Sequence, residues 1–123
     1  MNWNLVSDRP IYAQLIEQIK LRIVSGMYAP GAKLPPVRDL AAEASVNPNT
    51  MQKALAELER EGLLYTQRTS GRYITEDENM ILEIKRNLAK EQIVAFFQVM
   101  QQLGYTKQQT LSLMEEIERS GNK

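Results

Sequence analysis

Between residues 10 and 25, apolar side chains recur every three or four positions, at Ile11, Leu15, Ile16, Ile19 and Ile23, which predicts a helix with one buried face. Ser7 or Asp8 is placed to cap it, Pro10 suits its first turn, and Gly26 ends it. Trp3 and Leu5, ahead of the helix, are expected to pack back onto the body. Met27-Tyr28-Ala29-Pro30-Gly31 marks a turn through its Pro-Gly pair. Two short helices follow. One is expected from Pro36 to Ala44, turning Leu40, Ala41 and Ala44 inward. The other opens at Asn47-Pro48-Asn49-Thr50 and runs to about Glu61, burying Met51, Ala54, Leu55 and Leu58. Only Ser45-Val46-Asn47 separates them, with Val46 reaching the core between the helices, and that spacing is the layout of a helix-turn-helix.

The hydrophobic period then changes. Gly62 closes the second short helix, Leu63-Leu64-Tyr65-Thr66-Gln67 has strand character, Arg68-Thr69-Ser70-Gly71 is a turn, and Arg72-Tyr73-Ile74-Thr75 is a second strand. A β-hairpin directly after a helix-turn-helix is a wing. Its tip sets Arg68 and Arg72 beside small residues, which lets the backbone approach a partner surface. Past the polar run Glu76-Asp77-Glu78-Asn79, where Thr75 and Glu78 have capping-box spacing, a long helix is expected from about Asn79 to Leu103. It presents Ile81, Ile84, Leu88, Ile93, Phe96, Phe97, Met100 and Leu103 before Gly104 stops it. Thr106 and Gln109 form another capping-box pair, opening a final helix with Leu111, Met114 and Ile117. The pattern predicts an α+β fold, mostly α: a winged helix-turn-helix over residues 1–75, then an all-α two-helix hairpin over residues 76–123.

Composition narrows the chemistry. The 123 residues, 43% hydrophobic, suffice for one core plus an appendage. No apolar run approaches the ~18 residues needed to cross a bilayer, and Met1-Asn2-Trp3-Asn4 lacks the charged-then-apolar layout of a signal peptide. A cytoplasmic location and no membrane partner are therefore expected. The sequence contains no Cys and no His. That removes disulfides, ordinary zinc sites, Cys-His and Ser-His nucleophilic pairs and imidazole acid–base chemistry, so no metal, no cofactor and no enzymatic activity are expected. The carboxylates lie among basic residues on helical stretches, the pattern of solvated faces. Net charge is zero, yet residues 1–75 carry nine Lys/Arg against seven Asp/Glu, and residues 76–123 six against eight. An asymmetry this small is close to neutral as an argument for nucleic acid, because a basic footprint acts locally.

The run Pro10-Ile11-Tyr12-Ala13-Gln14-Leu15, then Gly26, Pro30-Gly31 and Leu34-Pro35-Pro36-Val37-Arg38-Asp39-Leu40-Ala41, resembles the opening of GntR-type bacterial transcriptional regulators. Val46-Asn47-Pro48-Asn49-Thr50, with Leu58-Glu59 and Glu61-Gly62-Leu63, is similar to the YtrA-type subfamily. The likeness is dense over residues 10–75; beyond, it rests on length and two-helix character. Two positions depart from the family pattern: Ser45 stands where Gly is common in the helix-turn-helix turn, and Thr69 replaces the first of two wing glycines, Gly71 being kept. The resemblance implies a sequence-specific DNA-binding regulator, a repressor acting as a homodimer on a palindromic operator in double-stranded DNA. Typical members bind a metabolite in a large C-terminal domain. Here two helices are expected not to enclose a pocket of ~300 Å³ within one chain, so an effector, of unknown identity, would bind between subunits or domains.

The candidate DNA-binding residues are Arg38, Asn47, Pro48, Asn49, Thr50, Gln52, Lys53, Arg68, Thr69, Ser70, Gly71 and Arg72. Arg38 can fork onto a phosphate or a guanine edge, or form an intrahelical salt bridge. Asn47 is first an N-cap with Pro48 at N1, and the helix start it creates aims amides at a phosphate. Asn49 suits an adenine edge, Thr50 a phosphate or a thymine methyl, Gln52 a base and Lys53 a phosphate; a solvated polar face is the alternative for each. Arg68 and Arg72 suit the backbone or a narrow minor groove, or else a cross-strand charge role. Phe96, Phe97 and Met100 are read as core or interface rather than a ligand cage. The predicted dimer interface comprises Ile81, Ile84, Leu88, Ile93, Phe96, Phe97, Met100, Leu103, Leu111, Met114 and Ile117. Two rival functions fit less of the pattern: a winged-helix protein-interaction module, which an acidic recognition helix would favour, and a small-ligand-binding helical protein.

Overall fold

The order of elements in the computed structural model, which describes residues 3–121, is α1 (Ile11–Val24), α2 (Val37–Ala44), α3 (Pro48–Arg60), β1 (Leu64–Gln67), β2 (Gly71–Ile74), α4 (Glu78–Gln102) and α5 (Lys107–Arg119). Two compact units divide after Lys85. The chain is mostly helical with one small sheet, the winged helix-turn-helix class expected from the sequence.

In the first unit α1 packs across α3, and their faces meet through Leu15, Ile19, Met51, Leu55 and Leu58, all fully buried. Leu40 and Ala41 of α2 and Leu63, Leu64 and Ile74 of the wing close the same core. Val46 is half-buried against it, as the turn spacing requires. Trp3 and Leu5 also pack there. The start of α1 differs from expectation. Neither Ser7 nor Asp8 caps it; Pro10 holds the N-cap position without a side-chain bond. Gln14, 2% exposed, does that work from inside the helix: Nε2 donates to Val6 O (2.8 Å) and Arg9 O (2.9 Å), and Oε1 accepts from Val6 N–H (2.7 Å). A buried carboxamide must be satisfied, and the lead-in backbone supplies its partners.

α2 ends with Val46 N–H reaching back to Ala41 O (2.9 Å). The reversal is made by Ser45, which adopts φ 57° and ψ 47°, the left-handed conformation that costs a non-glycine residue about 1 kcal/mol. Among described residues other than glycine, only Asn4 and Ser45 have positive φ, so Thr69 does not need the freedom of the glycine it replaces; Gly71, at φ +116°, does.

The antiparallel pair β1–β2 runs from Leu64 opposite Ile74 to Gln67 opposite Gly71. β2 also has a neighbour on its other side, where Leu34 N–H donates to Arg72 O (2.8 Å) and Ile74 N–H to Ala32 O (2.9 Å). The Thr75–Glu78 capping box does not form. Thr75 is buried and its Oγ1 accepts from Asp77 N–H (3.1 Å); Asp77 Oδ1 then caps α4 by accepting from Met80 N–H (3.1 Å). The first turns of α4 belong to this unit: Ile81 is 9% exposed in its core, with Met80 and Ile84 packed alongside.

In the second unit Gly104, at φ +96°, ends α4 as Tyr105 N–H returns to Met100 O (3.0 Å). The predicted capping box opens α5: Gln109 N–H donates to Thr106 Oγ1 (3.1 Å), and Thr106 N–H to Gln109 Oε1 (2.9 Å). Thr110, 1% exposed, returns its hydroxyl to Thr106 O (2.8 Å). Ile93, Val94, Phe96, Val99, Leu103, Leu111, Met114 and Ile117 are exposed, Leu103 most of all at 68%. Among the described residues no helix is long and apolar enough to cross a membrane.

Candidate nucleic-acid interface

Asn47 forms the cap that the sequence predicts. Its Oδ1 accepts from Asn49 N–H at 2.7 Å, with Pro48 filling the position where a backbone donor would be wasted. Its side chain is therefore engaged in starting α3. Asn49, Gln52 and Lys53 are exposed beyond it, and Thr50 is half-buried. The opposite face of the helix holds Met51, Ala54, Leu55 and Leu58 in the core, so burial on one side is what presents the polar set on the other.

Arg38 lies exposed in the first turn of α2 and makes no ion pair among the described residues, so the intrahelical alternative does not apply. Arg68 is exposed in the three-residue wing turn, with Thr69 beside it and Ser70 hydrogen-bonded to the Tyr73 hydroxyl. Tyr65 and Tyr73 stack across the strands, ring centroids 5.7 Å apart, stiffening the wing below its tip.

Over residues 3–75 paired and unpaired basic residues are unevenly distributed. Arg9, Lys20, Arg22 and Arg60 are matched by Glu17, Glu61, Glu43 and Glu57. The Arg60 guanidinium beside Glu57 holds that carboxyl below its usual range. Lys33, Arg38, Lys53 and Arg68 have no such partner among the described residues, and all four lie on the helix-turn-helix, the wing or the segment beside it. Lys33 was not anticipated. Its Cε lies 3.4 Å from where a Cβ on Gly71 would stand, and nothing in the sequence around it signals that the segment flanks the wing.

Arg72 departs from the role predicted for it. Its side chain is 19% exposed, Nε lies 3.2 Å from Glu59 Oε1, and Nη1 donates to Gln52 Oε1 at 3.4 Å. It is tied to α3 rather than held out from the wing.

Of the predicted interface residues, Ile81 is taken up by the first unit's own core and has little surface left for a partner, while Ile84, Leu88, Phe97 and Met100 are half-buried. Val94 and Val99 add exposed apolar surface that the predicted set omitted. The hairpin also holds an open-sided cleft of about 770 Å³, lined by Val94, Phe97, Gln101, Tyr105 and Lys107 among others. Two helices were expected not to enclose a pocket within one chain, and this cleft is open-sided, lying over the Gly104 reversal. No group of acidic side chains able to hold a metal ion occurs among the described residues.

Comparison with known proteins agrees with this geometry. Residues 11–74 match the model of the family described as bacterial regulatory proteins, gntR family. The HTH-type transcriptional repressor YtrA of Bacillus subtilis is 47% identical over 88 residues, 71% of this chain and 68% of that protein. A GntR family transcriptional regulator from Listeria monocytogenes superposes with a TM-score of 0.82 at 38% identity, covering 91% of this chain and 98% of that one. The DNA-binding domain of AraR, solved in complex with operator ORX1, matches 57% of this chain and 87% of its own at 32% identity and a TM-score of 0.52.

Proposed function

The chain belongs to the GntR family of bacterial regulatory proteins and is a DNA-binding transcriptional regulator, and from that premise we propose that it is a repressor which binds a palindromic operator as a homodimer. One observation carries the assignment of the surface: within residues 3–75, the basic residues left without carboxylate partners, Lys33, Arg38, Lys53 and Arg68, lie on or beside the elements that also expose Asn49 and Gln52. Cations without internal partners exchange their counterions with a phosphate backbone, while the amides of α3 meet base edges. Arg38, Lys53, Arg68 and Lys33 then hold phosphates, the start of α3 enters the major groove, and the Thr69–Ser70–Gly71 tip follows the adjacent backbone.

The exposed apolar residues of the hairpin support the dimer. Ile93, Phe96, Leu103, Leu111, Met114 and Ile117 are each more than two-fifths exposed, more apolar surface than two helices leave to water without a partner. A second copy, covering that surface through its own identical face, pairs two recognition helices on two half-sites. A protein-interaction module without DNA binding is disfavoured because positions 47–53 carry Lys53 and no acid. The test is a titration of the full chain against duplexes from the region upstream of its own gene, beside random duplexes at several salt concentrations. A regulator prefers one segment by on the order of 10³-fold or more. Equal binding to every duplex, or none to any, rejects the proposal.

A further inference from the structure

Glu59 on α3 reaches both strands of the wing. Its Oε2 accepts from Thr66 Oγ1 on β1 (2.8 Å) and its Oε1 from Arg72 Nε on β2 (3.2 Å). Arg72 extends the chain of bonds to Gln52, whose Oε1 accepts from Nη1 at 3.4 Å. Gln52 and Glu59 are seven positions apart, two helical turns, so they share one face of α3, and the guanidinium fork spans them. An arginine has donors and no acceptor, so only the carboxamide oxygen of Gln52 can face it. The amide nitrogen, on an exposed residue, is left for whatever lies beyond.

We infer that Arg72 is a positioning residue that holds Gln52 as a hydrogen-bond donor, so that α3 selects guanine at the base pair Gln52 meets. A freely turning glutamine matches adenine, its nitrogen donating to N7 while its oxygen accepts from the N6 amine. Guanine instead offers two acceptors, N7 and O6, which the two hydrogens of one amide nitrogen can meet. Drawing the oxygen toward Arg72 takes away half of the adenine match and none of the guanine match. The Arg72 charge is already committed to Glu59, and its side chain is mostly buried, which separates it from Arg68 at the tip. The inference rests on the proposal that Gln52 faces bases.

The experiment uses the full chain and a pool of randomised duplexes, from which the preferred sequence is selected, followed by titrations of that duplex and of its single-position variants. Gln52→Ala relaxes one position, and that position is guanine in the wild-type selection. Arg72→Lys, which can still pair with Glu59 but lacks the fork, lowers the guanine-over-adenine ratio there by on the order of tenfold. The same change made in Gln52→Ala protein has no further effect on that ratio. Gln52→Glu, an acceptor only, turns the preference toward cytosine, whose N4 amine donates. Arg72→Met also lowers the ratio and leaves the salt dependence of binding unchanged. Adenine at that position in the wild-type selection overturns the inference. So does an Arg72→Lys ratio equal to that of wild type, or an Arg72→Met effect confined to a salt slope smaller by about one. These outcomes sink the positioning role alone, whereas a Gln52→Ala selection identical to wild type sinks the base-facing assignment with it.

Discussion

The indole of Trp3 donates to Glu43 Oε1 at 3.1 Å, joining residues forty positions apart and fixing the lead-in segment to the helix that carries Arg38. Between them lies Arg22, 3% exposed, its guanidinium 4.0 Å from the Trp3 ring centroid and its Nη1 3.3 Å from the same carboxylate oxygen. Tyr28 borders the cluster, and burial pushes its hydroxyl's pKa up against the lowering pull of the Arg22 charge. The burial cost of a cation this deep is offset by stacking and pairing together, so Trp3 matters beyond its own area. Trp3→Ala should cost about 3 kcal/mol in urea unfolding. Trp3→Phe, which keeps a ring over Arg22 and loses the bond to Glu43, should cost about 1 kcal/mol. Equal losses for the two would show that the indole N–H contributes nothing.

Ser45 offers the opposite sign. Its left-handed backbone is a conformation that glycine adopts without strain, so Ser45→Gly should stabilise the chain by about 1 kcal/mol and leave DNA affinity unchanged. Chemical denaturation and one titration check both halves of the statement.

On DNA, Arg38 and Asn49 should fail differently when truncated. Arg38→Ala is expected to weaken binding to all sequences alike and to reduce the salt slope by about one. Asn49→Ala is expected to cost about 1–3 kcal/mol on the preferred site and little on random duplexes. Parallel losses on both kinds of duplex would remove the distinction between phosphate and base contacts.

The fragment that folds should end near Lys85 rather than at Thr75. A chain cut at Thr75 lacks Ile81, Met80 and Ile84, and it should be about 3 kcal/mol less stable than residues 1–85. Residues 1–85 should still bind operator DNA roughly 10²–10⁴-fold more weakly than the full chain, because the second half-site is no longer tethered. Full-strength binding by that fragment would give the hairpin some other purpose.

Sedimentation of the full chain at micromolar concentration should give about twice its 14.1 kDa mass. Leu103→Asp, at the most exposed apolar position of the hairpin, should return it to a monomer while leaving helix content unchanged by circular dichroism. A wild-type monomer at that concentration refutes the dimer.

The helices were legible because each buries one face, and the three- and four-residue spacing of Leu15, Ile19 and Ile23 or of Met51, Leu55 and Leu58 records which face. Glycines at helix ends and the Asn47-Pro48 start mark their bounds equally plainly. What escaped was work done by polar side chains over a distance. The sequence assigned no role to the side chains of Gln14 and Arg22, and it pointed to Thr75 rather than Asp77 as the cap. Their roles are set by which backbone groups and side chains the fold brings beside them, and no local pattern encodes that. Arg72 illustrates the same limit within the site: its position on the wing was clear, but its attachment to Glu59, thirteen residues earlier, appears only when strand and helix are brought together.

The pairing of β2 with residues 32–34 has a consequence for how the DNA-reading elements come apart. Leu34 bonds to Arg72 and Ala32 to Ile74, so the chain from residue 35 to residue 71, containing all of α2 and α3, is a ring closed at its base. Closing a ring of that size carries an entropic cost that grows only with the logarithm of its length, and the strand bonds recover it solely when the helices inside are packed. Neither helix can then loosen while the base stays shut without losing the contacts that keep it shut. The amides of Leu34 and Ile74 should therefore be protected from solvent exchange to the level of global opening, together with those of the buried turns of α3, the behaviour expected of a helix-turn-helix and wing that open as one cooperative foldon.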